Sequence, residues 1–165
     1  LPILASILYM KGIEQFDFDV TLIFAVLNGR VSAAINRRLI IDFKEEGIDI
    51  SPEQLTVLSL LWKKDRVTQQ ELCNITFKDK PNMTRLIDSL EDKGLAKRTV
   101  DENDKRSNLI VLTAEGKAIE EKAFLVANAT MRKALVNVSS QELAIGQNLL
   151  KKIFNNMQEK PNKEA

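Results

Sequence analysis

The feature that most constrains this chain is a change of periodicity at Gly94. Upstream of it, Met83, Leu86, Ile87 and Leu90 recur at spacings of three and four, which gathers them on one face of a helix. Downstream, residues 96–100 and 108–112 are short runs holding valine, isoleucine and threonine, suited to paired strands. Between those runs lies Asp101-Glu102-Asn103-Asp104-Lys105-Arg106-Ser107, a polar loop of turn-forming residues. A second short helix precedes the first. It opens at Thr68-Gln69-Gln70-Glu71, a capping box in which threonine and glutamate satisfy each other's backbone donors, and turns Leu72 and Ile75 inward. Two short helices joined near Phe77 to Lys80 form a helix-turn-helix. A hairpin directly after it is the wing of a winged helix.

The flanking segments read as longer helices. From about 19 to 45, Phe24, Leu27, Val31, Ile35, Leu39 and Phe43 keep helical spacing, and Gly47 supplies the stop. Ser51-Pro52-Glu53-Gln54 is another capping box, with proline where its missing N–H costs nothing. It opens a helix burying Leu55, Leu58, Leu61 and Trp62. Thr113 caps a helix expected to run to about 136, and Ser139-Ser140-Gln141-Glu142 opens a last one through Leu149, Leu150, Ile153 and Met157. The fold class is therefore mainly α with a small β-hairpin, a winged helix-turn-helix between helical arms.

Residues 1–9 are strongly apolar and end abruptly at Met10-Lys11. Two expectations fit: a non-native extension ahead of a native start at Met10, or a short arm packed on a partner. The stretch is too short to span a bilayer, so no membrane partner is expected.

Composition excludes more than it indicates. The chain has no histidine and a single cysteine, Cys73, which rules out a Ser-His-Asp triad, a Cys-His pair, a histidine-based zinc site and an internal disulfide. No catalytic residue, metal or cofactor is expected, and the missing disulfide fits a reducing cytoplasm. Cys73 itself suits a small apolar core position. The formal net charge is +1, so any electropositive surface must come from the arrangement of charges and not from their sum.

The helix ending at Gly94 turns Asn82, Thr84, Arg85, Asp88 and Ser89 outward. Arginine can grip guanine bidentately and asparagine can pair with adenine in a major groove. Lys105 and Arg106 sit at a hairpin tip, where they stabilise no core. A guanidinium on a narrow projection suits the electronegative minor groove, and Asp104 can hold it extended through a charge-assisted hydrogen bond.

Residues 51–117 resemble the MarR family of bacterial transcription regulators. The resemblance rests on Pro52-Glu53-Gln54-Leu55-Thr56-Val57-Leu58, on Thr68-Gln69-Gln70-Glu71-Leu72, and on residues 83–95, Met-Thr-Arg-Leu-Ile-Asp-Ser-Leu-Glu-Asp-Lys-Gly-Leu. It is completed by Asp104-Lys105-Arg106 and by Leu112-Thr113-Ala114-Glu115-Gly116. Pro81 departs from the serine or threonine the family often has there, and Cys73 from its usual alanine.

The resemblance implies a homodimer that reads a palindromic operator in double-stranded DNA with two recognition helices and two wings. Arg106 would enter the minor groove with Asp104 orienting it. Asn82, Thr84 and Arg85 would meet the major groove, with Thr68 and Gln69 near phosphates, and Ser89 and Lys105 completing the DNA-binding set. A small aromatic effector would sit near Asn36, Arg37 and Trp62. The implied organisation is an N-terminal extension (1–18), an N-terminal dimerisation helix (19–47), a winged helix-turn-helix DNA-binding domain (48–113), C-terminal dimerisation helices (114–159) and a polar tail (160–165). The expected function is a cytoplasmic, sequence-specific regulator, a repressor relieved by a small molecule. The alternative is a winged-helix module for protein interaction without a DNA target.

Overall fold

The computed structural model describes residues 20–100 and 108–158, with side chains from residue 23 onward. Residues 1–9, Met10, the wing tip and the polar tail lie outside the described residues. In chain order the elements are α1 (Val20–Glu45), α2 (Pro52–Lys63), β1 (Val67–Thr68), α3 (Gln69–Thr76), α4 (Lys80–Asp92), β2 (Ala96–Val100), β3 (Asn108–Leu112), α5 (Ala114–Ala118), α6 (Glu120–Ala134) and α7 (Ser140–Gln158). No described helix is long and apolar enough to cross a membrane. The chain divides into two units between Thr130 and Met131.

In the first unit, α2, α3, α4 and the sheet close around one core. Val57, Leu58 and Leu61 from α2, Leu72 from α3, and Met83, Ile87 and Leu90 from α4 are fully buried, with Ile110 of β3 beneath them. Phe43 and Leu39 at the end of α1 join the same cluster. Burying such side chains contributes roughly 1.5–3 kcal/mol each, which sets α4 firmly in the domain. Cys73 is buried here as a core residue.

The hairpin expected from the sequence is present, and β1 extends it to an antiparallel sheet in the order β1-β3-β2. Val67 pairs with Ile110 and Ala96 with Leu112. This small sheet on a helical domain gives a winged helix-turn-helix, mainly α.

Two helix ends are fixed by the same device. After α1, Ile48 N donates to Phe43 O at 2.8 Å and Gly47 N to Lys44 O at 3.1 Å. After α4, Leu95 N donates to Leu90 O at 2.9 Å and Gly94 N to Glu91 O at 2.8 Å. Gly47 and Gly94 take φ of +68° and +66°, the left-handed region that this Schellman arrangement requires. Ile48 and Leu95 then drop into the core.

Two sequence expectations are corrected. Ile75 is 57% exposed, because the inner face of α3 runs through Leu72 and Cys73. The helix expected to run from Thr113 to about 136 is interrupted at Ile119 and ends at Ala134. The Gly116 carbonyl, which would face Glu120 N–H in an unbroken helix, accepts from the Trp62 indole Nε1 at 2.8 Å. A side chain entering the backbone ladder is a recognised cause of such breaks.

The second unit holds the end of α6 and helix α7. Ser139 and Glu142 form the expected capping box, with Ser139 N donating to Glu142 Oε2 at 2.8 Å and Glu142 N to Ser139 Oγ at 3.2 Å. The Ser139 hydroxyl, donating to Glu142 Oε2 at 2.6 Å, and then the Ser139 backbone N–H hold the Glu142 carboxyl below its usual range. Within the single chain, α7 exposes Ile145, Leu149, Leu150, Ile153, Phe154 and Met157.

Candidate nucleic-acid interface

Helix α4 begins at Asp79, whose backbone is extended (φ −67°, ψ 160°). Its carboxylate does two jobs: Oδ1 accepts from Asn82 N at 2.8 Å and Oδ2 from Asn82 Nδ2 at 2.9 Å. Only the nitrogen of an amide can face a carboxylate, so the Asn82 side chain is held in one orientation, with its oxygen and one N–H left over. Pro81 lies in the first turn, where it removes no intrahelical bond. Asn82 and Arg85 are exposed along the outer edge of α4 with Lys80 beside them. Among the described residues, neither Lys80 nor Arg85 makes an ion pair.

Thr84 and Gln69 lock the two short helices together. Gln69 Nε2 donates to Thr84 Oγ1 at 2.7 Å, and Thr84 Oγ1 donates to Lys80 O at 2.9 Å. Thr68 caps α3: Glu71 N donates to its hydroxyl at 3.1 Å, while Thr68 N donates to Glu71 Oε2 at 2.8 Å. The Thr68 backbone N–H, then Lys64 at 3.0 Å and the Thr68 hydroxyl, hold the Glu71 carboxyl down from 4.5 to about 2.

Because the folded value lies below the unfolded one, this cap stabilises fully above pH 4.5 and is lost as pH falls toward about 2. Thermal melts across that window should show a pH dependence that Glu71→Gln flattens. An unchanged slope in the variant would mean other carboxyls carry it.

Ser89, expected on the outer face, is drawn inward. Its hydroxyl accepts from Gln54 Nε2 at 2.8 Å, and Gln54 Oε1 accepts from Ser51 N at 2.8 Å. Buried Gln54 thus serves both the α2 cap and the back of α4. Asp104, Lys105 and Arg106 lie outside the described residues. The strands that carry them are described, paired from Ala96↔Leu112 to Val100↔Asn108. From the middle of β2, Arg98 reaches Asp88 at 2.6 Å and also pairs with Glu91, both on α4.

The residues expected near an effector lie on α1 and α2. Asn36 and Arg37 are exposed on α1. Trp62 donates to Gly116 O and its ring lies 5.3 Å from that of Phe124, tilted by 48°. An open cleft of about 450 Å³ lies elsewhere, lined by Ile40, Ile50, Gln54, Leu86, Ser89 and Lys93 among others. Gln54 and Arg98 were the functional candidates missed by sequence reasoning. Gln54 was legible only as a capping residue, and Arg98 only as part of the strand-suited run 96–100.

A MarR family model matches residues 48–107. The multiple antibiotic resistance protein MarR of Escherichia coli is 32% identical over 108 residues, covering 65% of this chain and 75% of that protein. An uncharacterized HTH-type transcriptional regulator, YdgJ of Bacillus subtilis, is 31% identical over 108 residues, or 66% of each chain. Among solved structures, a mutant of Escherichia coli MarR complexed with operator DNA aligns with a TM-score of 0.75 at 28% identity, over 82% of this chain and 99% of that one. Wild-type MarR from the same organism in its apo form gives 0.64 at 29% identity, over 78% of this chain and 95% of that one.

Proposed function

The chain belongs to the MarR family, and from that premise we propose that it is a transcription regulator that binds a palindromic operator as a homodimer. The observation that carries this reading is the outer edge of α4. Asn82 is held in one orientation by Asp79, and Arg85 stands exposed beside it on a helix seated by a fully buried apolar face. The operator-bound MarR structure among the similar proteins supports the same reading.

In this reading Asn82, Thr84 and Arg85 meet the major groove, with Gln69 and Thr68 beside the phosphates. Thr84 and Gln69 act chiefly by fixing α3 against α4, since each already has a partner inside the domain. Ser89 supports α4 from behind. Arg106, oriented by Asp104 and accompanied by Lys105, enters the minor groove. The domain boundaries follow: 48–113 binds DNA, while 19–47 and 114–159 dimerise through the apolar side chains that α1 and α7 expose on the single chain.

We further propose that the regulator is a repressor relieved by a small aromatic molecule. Asn36 and Arg37, exposed on α1, and the half-buried Trp62 are the residues proposed to receive it.

Selecting genomic fragments on the purified protein tests the reading. The expected outcome is an inverted repeat, bound with a log–log salt slope of about −5 if about six phosphates are neutralised. A flat salt dependence without sequence enrichment would favour the protein-interaction module.

A further inference from the structure

Within the first unit, one cation ties the edge of the hairpin to the recognition helix. Arg98 lies midway along β2, opposite fully buried Ile110. Its Nη2 reaches Asp88 Oδ1 at 2.6 Å and its Nη1 pairs with Glu91 Oε2. Its backbone N–H, on the edge strand of the sheet, donates to Glu91 Oε1 at 2.7 Å. Asp88 and Glu91 are one turn apart on α4, so a single guanidinium spans two levels of that helix. The side chain of Arg98 is 27% exposed and that of Glu91 30%, which shields the pair from solvent in part.

We infer that Arg98 is a positioning residue for DNA binding, one that sets the angle between the hairpin and α4. This inference rests on the regulator reading above. Ala96 and Leu95 anchor the root of the hairpin in the core. On β3, Val111, Ile110 and Leu109 are buried as well, and Arg98 is the tie that fastens the edge strand β2 to α4 at that level. At roughly 3.3 Å per residue, the polar loop begins about 10 Å beyond it, so a small rotation at Arg98 is magnified there. Two elements that must engage adjacent grooves together need a fixed relative orientation, and the Asp88–Arg98–Glu91 cluster supplies it.

The competing account is purely electrostatic: Arg98 neutralises two carboxylates that would otherwise repel phosphates. The two accounts differ in sign for one variant. Asp88→Ala with Glu91→Ala removes two negative charges and leaves Arg98 in place. Electrostatics alone predicts tighter binding; loss of positioning predicts weaker binding. The experiment is hydroxyl-radical footprinting and affinity measurement on the sequence selected by the wild-type protein. The expected result is a loss of about 10- to 100-fold in affinity. Protection should vanish at the outer minor grooves and persist over the central major-groove contacts. Arg98→Gln should lose the same flanking protection, and thermal melts identify whether either variant has unfolded. Tighter binding by the double variant, or flanking protection unchanged in it, would overturn the inference. A wild-type protein that protects no sequence at all would instead sink the regulator reading.

Discussion

Replacing Gly116 with alanine is expected to lower the melting temperature by roughly 6–12 °C, at about 2–4 °C per kcal/mol for a chain of this size. A Cβ at residue 116 would lie 1.9 Å from the Leu95 carbonyl oxygen, 2.9 Å from its carbon and 3.3 Å from Leu112 Cδ2. The first two are backbone atoms, so no rotamer change relieves the clash. Leu95 is buried and is itself bound into the Schellman turn that ends α4. Relief requires either α5 or the end of α4 to move, at about 3 kcal/mol, the upper end of ordinary overpacking. That is a large share of a typical folding stability of about 5–15 kcal/mol.

Displacement at Gly116 also pulls its carbonyl from the Trp62 indole. Trp62 is the single tryptophan of the chain, so its fluorescence reports the shift directly. Glu115→Ala, next door and exposed, is the control and should change stability by no more than about 1 kcal/mol. A Gly116→Ala protein that melts with the wild type and keeps its Trp62 emission would contradict the close approach.

Gly116 also marks where sequence reading stops. As part of Leu112-Thr113-Ala114-Glu115-Gly116 it was legible as a family feature, but the reason for glycine lies in Leu95, which is brought against it only by folding. The same division runs through the domain. The caps at Ser51, Thr68 and Ser139 were legible because their partners lie three residues away. The period change at Gly94 was legible because helix and strand periodicities are local. Gln54 to Ser89 spans 35 positions and Asp65 to the Leu112 N–H spans 47, and no local pattern encodes either. Ser89 therefore read as an outward residue. Ile75 misread for a related reason: in so short a helix, a spacing of three from Leu72 does not decide which side meets the core. Phe24 and Val31 kept a core-like period while staying exposed on one chain, since an apolar stripe encodes burial without naming the surface that provides it.

Removing either arginine of the proposed DNA-reading set is expected to weaken operator binding by about 30- to 20,000-fold. Each lost contact costs about 1–3 kcal/mol, and a dimer loses two. Arg85→Ala and Arg106→Ala should differ in kind. Arg85 stands exposed on the outer edge of α4, so its loss should relax the preference for one base pair in each half-site. Arg106 belongs to the polar loop between β2 and β3. Its removal should reduce the advantage of A·T-rich flanks, where a narrow minor groove concentrates negative potential. Ser89→Ala should do less than either, because the Ser89 hydroxyl already accepts from Gln54 behind the helix. Affinity measured on matched operators, with single substitutions at the centre and at the flanks, separates these outcomes. If Ser89→Ala weakens binding as much as Arg85→Ala while the protein stays folded, the outer edge of α4 is not the reading surface. If both arginine variants bind unchanged, the regulator reading itself fails.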